Sequence, residues 1–306
     1  MSLSSPSASP AAPVLPRLTQ AHAPLTHSVE VVNELGEREQ VQIPAERPLT
    51  IYVDKRELVT LMTLGAQPEL LVLGYLRNQR LVESVFDIES ITVDWEVHAA
   101  AVRTRHGIAR IEERTASKVV TTGCGQGSVF GGLMDEIDRI QLPEGVLRQS
   151  QLYAIVNAIR LKESTYKSAG SVHACALFRG DQLQLFVEDV GRHNAVDTIA
   201  GWLALQDPAA GAPTGAVLNP PALDKIFYTT GRLTSEMVIK SAQMGVAAVI
   251  SRSGITQMGL EVAQRVGLCA IGRATHKRFL CYSHAQRIVF DAVPTPLGVA
   301  PVAAVA

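Results

Sequence analysis

Cys124 lies in the string Thr121-Thr122-Gly123-Cys124-Gly125-Gln126-Gly127-Ser128. Three glycines within five positions, among small polar residues, favour an exposed loop over a helix interior or central strand and let the backbone approach another molecule closely. A thiol held that way is open to a partner's reactive group, so nucleophilic chemistry is the reading for Cys124. Arg103, Arg105, Arg110 and Lys118 precede the loop and are read as a source of positive charge for its thiolate. Cys175, Cys269 and Cys281 sit instead in apolar strings (Ala174-Cys175-Ala176-Leu177, Leu268-Cys269-Ala270-Ile271, Leu280-Cys281-Tyr282), where cysteine behaves as a small buried hydrophobe.

A second chemistry is suggested by three strings that combine glycine, arginine and a hydroxyl or amide. They are Glu188-Asp189-Val190-Gly191-Arg192-His193-Asn194, Thr229-Thr230-Gly231-Arg232-Leu233-Thr234-Ser235-Glu236 and Ser251-Arg252-Ser253-Gly254-Ile255-Thr256. Placed between a strand and a helix, such residues can hold a phosphate on backbone amides and a guanidinium. Singly, each is also explained by capping, with Asn194 or Thr234 accepting from first-turn amides and the arginine solvated. Three together favour an anionic or nucleotide-like ligand. None matches a Walker A or dinucleotide fingerprint, which argues against an ATPase or an NAD enzyme.

A fourth segment, Arg273-Ala274-Thr275-His276-Lys277-Arg278, is basic and reads either as a solvated charge run or as an anion clamp beside the three junctions. His193 reads equally as a base and as a structural donor. His173 reads as a satisfied core histidine, and with Cys175 it supplies no second pair at metal-ligand spacing, so no metal site is expected. Asp189 and Asp197 read as partners of Arg192 or His193, or as surface carboxylates. A cysteine hydrolase using His193 finds no triad string to support it.

The elements that must position these groups follow from periodicity. Strands are expected over 49–54, turning at Asp54-Lys55 into 57–62, and over 88–93 and 97–102, with a helix over 68–79 that begins at Pro68. A helix over 147–162 leaves a long glycine-rich loop before it. From residue 171 onward strands at 172–178, 183–188, 225–229, 247–251 and 268–272 alternate with helices at 194–205, 235–244 and 257–266, the pattern of an α/β domain with a largely parallel sheet. The organisation expected is a disordered leader over 1–27, an α+β region over 28–115, a mobile loop carrying Cys124 over 116–146, an α/β cofactor-binding domain over 147–292 and a flexible tail over 293–306.

Composition limits the class. The 306 residues are 47% hydrophobic and 19% charged with only 5% aromatic, which describes a globular chain with an aliphatic core. A net charge of −1 gives no global field for duplex nucleic acid, and four cysteines without paired spacing suit a reducing compartment. No apolar run is long enough for a signal segment or a membrane span, so the expected address is the cytoplasm.

In combination, Thr122-Gly123-Cys124-Gly125, the string Glu188-Asp189-Val190-Gly191-Arg192-His193-Asn194-Ala195-Val196-Asp197, Gly231-Arg232-Leu233-Thr234-Ser235-Glu236-Met237-Val238 and Ser251-Arg252-Ser253 resemble the formate dehydrogenase accessory sulfurtransferase family, FdhD/NarQ. The likeness extends back to Leu49-Thr50-Ile51-Tyr52-Val53 and forward to Tyr282-Ser283-His284. It implies a cytoplasmic homodimer whose Cys124 takes persulfide sulfur from a cysteine desulfurase and passes it to the molybdenum of a bis(molybdopterin guanine dinucleotide) cofactor bound for formate dehydrogenase. It implies a cytidine deaminase-like α/β domain preceded by a smaller α+β region. It also implies that the segment Arg273, Ala274, Thr275, His276, Lys277 and Arg278 holds the guanine dinucleotide, and the junction residues Arg192, His193, Gly231, Arg232, Thr234 and Ser235 are read as holding its phosphates with it. Many members carry Cys-Gly-x-Cys where this chain has Cys124-Gly125-Gln126-Gly127. The missing second thiol leaves an alternative, a chaperone that delivers cofactor without relaying sulfur.

Overall fold

The computed structural model describes residues 14–108, 137, 140, 142, 144–162, 164–206 and 225–292. Two sheets, each with its own core, dominate. The smaller begins with β1 (Arg17–Leu18); β2 (Thr26–Val32) and β3 (Arg38–Pro44) form a separate ribbon. In β4 (Arg47–Val53) and β5 (Arg56–Thr63) the expected hairpin forms, with Asp54 and Lys55 at φ of 47° and 72°. Two successive positive φ angles give a two-residue turn the twist that flanking strands need. Helix α1 (Pro68–Asn78) starts at its proline, and β6 (Ile88–Asp94) and β7 (Ala99–Thr104) complete the order β1-β6-β7-β4-β5. Leu49, Ile51, Leu71, Leu73, Leu76, Ile88 and Ile91 fill its core.

Residues 14–27, expected within the leader, take defined positions. Arg17 and Leu18 pair in parallel with Ser90 and Ile91, and the Thr19 hydroxyl and Ala21 N–H donate to the buried Glu69 carboxylate at 2.7 and 2.9 Å. A buried carboxylate needs such donors, and a Ser, Pro and Ala-rich composition carries no sign of them.

The short β8 (Leu147–Arg148) leads into α2 (Gln149–Leu161), which is followed by α3 (Thr165–Ala169), β9 (His173–Arg179), β10 (Gln182–Asp189), α4 (Arg192–Gln206), β11 (Lys225–Thr229), α5 (Ser235–Gln243), β12 (Ala248–Ser251), α6 (Gln257–Val266), β13 (Cys269–Thr275), β14 (Arg278–Ser283) and β15 (Ile288–Val289). The larger sheet runs β10-β9-β11-β12-β13-β14. It is mixed rather than largely parallel, because only the β11–β12 and β12–β13 pairings are parallel, while β9 and β14 run against the other four strands and pair antiparallel with their neighbours. Alternation along β11 assigns its faces: Ile226 and Tyr228 meet Leu152, Ile155 and Val156 of α2, and Phe227 meets the residues of α4, α5 and α6. The result is an α/β/α stack.

One helix crossing joins the two sheets. A Cβ on Gly74 of α1 would lie 1.7 Å from the Asp197 carbonyl oxygen, and one on Gly201 of α4 would lie 2.0 Å from that of Leu70. The helices therefore touch backbone to backbone, which only glycine permits. Sandwiched between α1 and the larger sheet, α4 is buried on nearly all sides, polar residues included. Among the described residues no helix is long and apolar enough to cross a membrane.

Candidate functional site

Because β10 runs antiparallel to β9, and β9 antiparallel to β11, the carboxyl ends of β10, β11, β12 and β13 open on one edge of the larger sheet. The three glycine-arginine strings and the start of the basic segment thus share an edge, the place where α/β sheets hold ligands. Hydrogen bonds lock the second and third strings and the start of the basic segment together. Thr229 Oγ1 accepts from Gly231 N–H at 3.1 Å, Ser251 Oγ donates to Gly231 O at 2.7 Å, Ser253 Oγ donates to Thr230 O at 2.8 Å, and Arg273 N–H donates to Ser253 O at 2.7 Å.

The first junction is turned inward. Asp189 is buried and accepts from the Thr63 hydroxyl, Leu64 N–H (3.1 Å), Gly191 N–H (3.0 Å) and the Asn194 amide (2.8 Å), which ties β5 to the end of β10. Burial raises its pKa, and the hydrogen bonds oppose the rise. Arg192 is 5% exposed, and its side chain crosses Gly231, where a Cβ would stand 2.8 Å from Arg192 Cδ. His193 is buried with Nε2 3.3 Å from Glu236, which approaches Lys240 at 3.5 Å; Lys240 pairs with Asp197 at 2.9 Å, and Asn78 of α1 also donates to Asp197. Burial, with the Lys240 and Arg192 charges beside it, pushes the imidazole down to about 2, so it is neutral and its contact with Glu236 is polar rather than ionic. Asp189 and Asp197 are interior groups, not surface carboxylates.

The capping reading of the junctions fits one position. Thr256 caps α6 by accepting from Gly259 N–H at 3.2 Å. Asn194 lies inside α4 and donates its amide to Met62 O at 2.7 Å, and Thr234 makes no side-chain cap to α5, its buried hydroxyl oxygen having no hydrogen-bond partner among the described residues. Arg232 and Arg252 are exposed, while Ser235 is the half-buried first residue of α5. His173, at the start of β9, is half-buried. Burial first, then the Arg192 and Arg232 charges, lower its pKa.

The basic segment follows no strand end but forms a hairpin, because β13 extends to Thr275 and β14 begins at Arg278. Arg273 takes φ 51° at a bulge between the pairs Gly272 with Leu280 and Thr275 with Arg278. A left-handed arginine costs about 1–3 kcal/mol, here held by its bond to Ser253. Arg273, Thr275, Lys277 and Arg278 line an open cleft of about 500 Å³ with Phe279, Leu280, and Gln149 and Tyr153 of α2. Ala274 points into the core and His276 occupies the turn at φ 52°. Three cations and two aromatic rings lining one cleft suit a phosphorylated, planar ligand. Sequence reading missed Gln149, Tyr153, Phe279 and Leu280, since only the seating of α2 on the hairpin brings them there. Arg105 donates to Phe86 O and Val14 O, and Arg103 lies 3.9 Å from Glu89. Cys124, with Arg110 and Lys118, lies outside the described residues. Among the described residues no group of His, Cys, Asp and Glu is arranged for a metal ion.

Fold and site together define a two-sheet α/β protein with an arginine-lined sheet edge and a basic hairpin cleft. The FdhD/NarQ family model matches residues 44–289, and the chain belongs to that family. It is similar to proteins named sulfur carrier protein FdhD, from Bacillus licheniformis (29% identical over 265 residues, covering 84% of this chain and 94% of the relative) and Geobacillus kaustophilus (27% over 252 residues, 82% and 91%). A crystal structure from Desulfotalea psychrophila, provisionally described as a formate dehydrogenase accessory protein, shares the fold with a TM-score of 0.66 at 23% identity. It covers 87% of this chain and 100% of that one.

Proposed function

We propose that this chain is a sulfur carrier serving formate dehydrogenase, with Cys124 as the carrying thiol. The observation that carries the reading is family membership across residues 44–289, a span that includes the Thr122-Gly123-Cys124-Gly125 string. In the proposed step the Cys124 thiolate attacks the outer sulfur of a cysteine desulfurase persulfide. A new S–S bond forms on Cys124, the donor S–S bond breaks, and the donor cysteine leaves as thiolate. The Cys124 S–S bond then breaks, Cys124 leaves as thiolate, and the sulfur passes to the molybdenum of a bis(molybdopterin guanine dinucleotide), which is cargo here and in its reduced state supplies the two electrons that convert sulfane sulfur to sulfide. A second thiol at position 127 would attack the persulfide, form a disulfide and release hydrosulfide; Gly127 cannot.

The guanine dinucleotide is assigned to the hairpin cleft and the adjoining edge, with Arg273, Lys277, Arg278 and Arg232 on its phosphates. Thr275, Thr234 and Ser235 supply neutral donors. The burial of Arg192 and His193 supports a role for them in holding the edge in shape, and the apolar burial of Ala274 supports the same. We further read the larger α/β portion as cytidine deaminase-like, the assembly as a homodimer and the setting as the cytoplasm.

Incubation with a cysteine desulfurase and cysteine is expected to add one dithiothreitol-labile sulfur to the wild-type intact mass and none to Cys124→Ala. Equal gain in both removes Cys124 as carrier, and no gain in either leaves the cofactor-delivering chaperone as the better reading. In calorimetry with GDP, Arg278→Ala and Arg232→Ala are each expected to bind about tenfold more weakly, the loss of roughly one charge-assisted contact. Unchanged affinity in both overturns the placement.

A further inference from the structure

Cys269 and Cys281 were each expected to be isolated apolar fillers, but the fold brings them into contact. Cys269 opens β13 and is fully buried; Cys281 lies on β14, half-buried, beside Leu280, which is 49% exposed. Their sulfurs are 4.0 Å apart, and Cys281 Sγ also lies 3.2 Å from Ser283 O. The register explains the meeting. Ile271 pairs with Cys281 and Ala270 with Ser283, so a bulge at Tyr282 shifts β14, and both cysteines face the α2 side of the sheet. Closing from 4.0 Å to the disulfide length of about 2.0 Å asks for side-chain rotation across already paired strands rather than for refolding.

We propose that Cys269 and Cys281 form a redox-active thiol pair, Cys281 attacking and Cys269 resolving, which a low-molecular-weight disulfide converts to a cross-strand disulfide at the base of the basic hairpin. The Cys281 thiolate attacks one sulfur of the small disulfide, a protein mixed disulfide forms, and one small thiolate leaves. Cys269 then loses its proton and attacks the Cys281 sulfur, expelling the second small thiolate. One dithiol and one disulfide give one protein disulfide and two small thiols. The order of attack follows from the surroundings. The half-buried Cys281 is the sulfur that a reagent can reach, and the hydrogen bond from Cys269 holds its pKa below the ordinary value. That same hydrogen bond, followed by burial, keeps the proton on Cys269. Cys175 is no competitor, since burial pushes its thiol up to about 12.

The bond would span 12 positions and enclose Arg273 to Arg278, so oxidation cross-links the strands that carry the cleft's cations. The thiol chemistry itself is independent of the sulfur-carrier reading. The full chain, reduced and then treated with oxidised glutathione, is unfolded in the presence of N-ethylmaleimide, which blocks every remaining thiol, and digested with trypsin without reduction. The expected product links the peptides Val266–Arg273 and Phe279–Arg287 at two hydrogens below their summed mass, and dithiothreitol abolishes it. Cys269→Ser is expected to accumulate glutathione on Cys281, whereas Cys281→Ser leaves Cys269 unmodified. Recovery of both wild-type peptides blocked by N-ethylmaleimide, or of Cys281 linked to Cys124 instead, overturns the pair. Glutathione on Cys269 in Cys281→Ser reverses the assigned order and overturns it too.

Discussion

His193 shows how a residue's role is set by its surroundings. It stands one position after an arginine at a strand-to-helix junction, where a catalytic base would be looked for, yet it is buried among Glu236, Lys240 and Arg192 and stays neutral. The consequence is a pH dependence of stability. In the unfolded chain an imidazole takes up its proton below about pH 6.5, whereas in the fold it does so only near 2. The stabilisation is therefore complete above pH 6.5 and is lost as pH falls through the interval, with a limiting slope of about 1.4 kcal/mol per unit. The raised carboxyls of Asp189 and Glu236 act with the opposite sign, favouring the fold as pH falls toward ordinary carboxylate values. Urea denaturation between pH 7 and 5 is expected to show a shallower loss of stability for His193→Gln than for wild type. Parallel slopes would show that His193 titrates normally in the fold.

At the scale of elements, the α1–α4 crossing is the feature most sensitive to a single atom. A methyl group on Gly74 would meet the Asp197 carbonyl at 1.7 Å, and the neighbour is backbone, so no side chain can turn aside. The helices must separate, exposing apolar surface in both cores. Gly74→Ala is expected to destabilise the protein by about 3 kcal/mol or more, at the upper end for overpacking. Gly254→Ala, where the backbone is not left-handed and the added carbon meets only the Tyr282 hydroxyl at 4.0 Å, serves as its control. Thermal melting of the two variants checks this, and equal midpoints would mean that the crossing is looser than described.

For the molecule as a whole, a chain of polar contacts bridges the two cores: Lys240 of α5 to Asp197 of α4 to Asn78 of α1, and Asp189 to Thr63 and Leu64. Removing one member of a buried ion pair costs about 3–5 kcal/mol where the other charge is left without compensation, and because Lys240 keeps its contact with Glu236 at 3.5 Å the lower end applies. Asp197→Ala is expected to lose that much and to split the calorimetric unfolding of the wild type into two transitions, one per core. A single transition at an unchanged temperature would assign the bridging to packing alone.

The local elements are legible in the residues alone, Pro68 as a helix start, the alternation from Leu49 to Val53 as a strand and Asp54-Lys55 as a turn, because each depends on near neighbours. The sequence also separated Cys124, in a glycine-rich string, from the three apolar cysteines, and its strings carried the family. The hairpin at Arg273 to Arg278 was half legible, since a bulge with Arg273 at positive φ has no period to read. Which groups face water and which face one another is set by the packing of segments far apart in the chain. Arg192 and His193 look like ligand groups in the string, and the seating of α4 between α1 and the larger sheet buries them. Cys269 and Cys281 look like separate fillers, and strand pairing brings their sulfurs to 4.0 Å. Burial and meeting across a sheet arise between segments distant in the chain, so no local pattern of residue types can encode them.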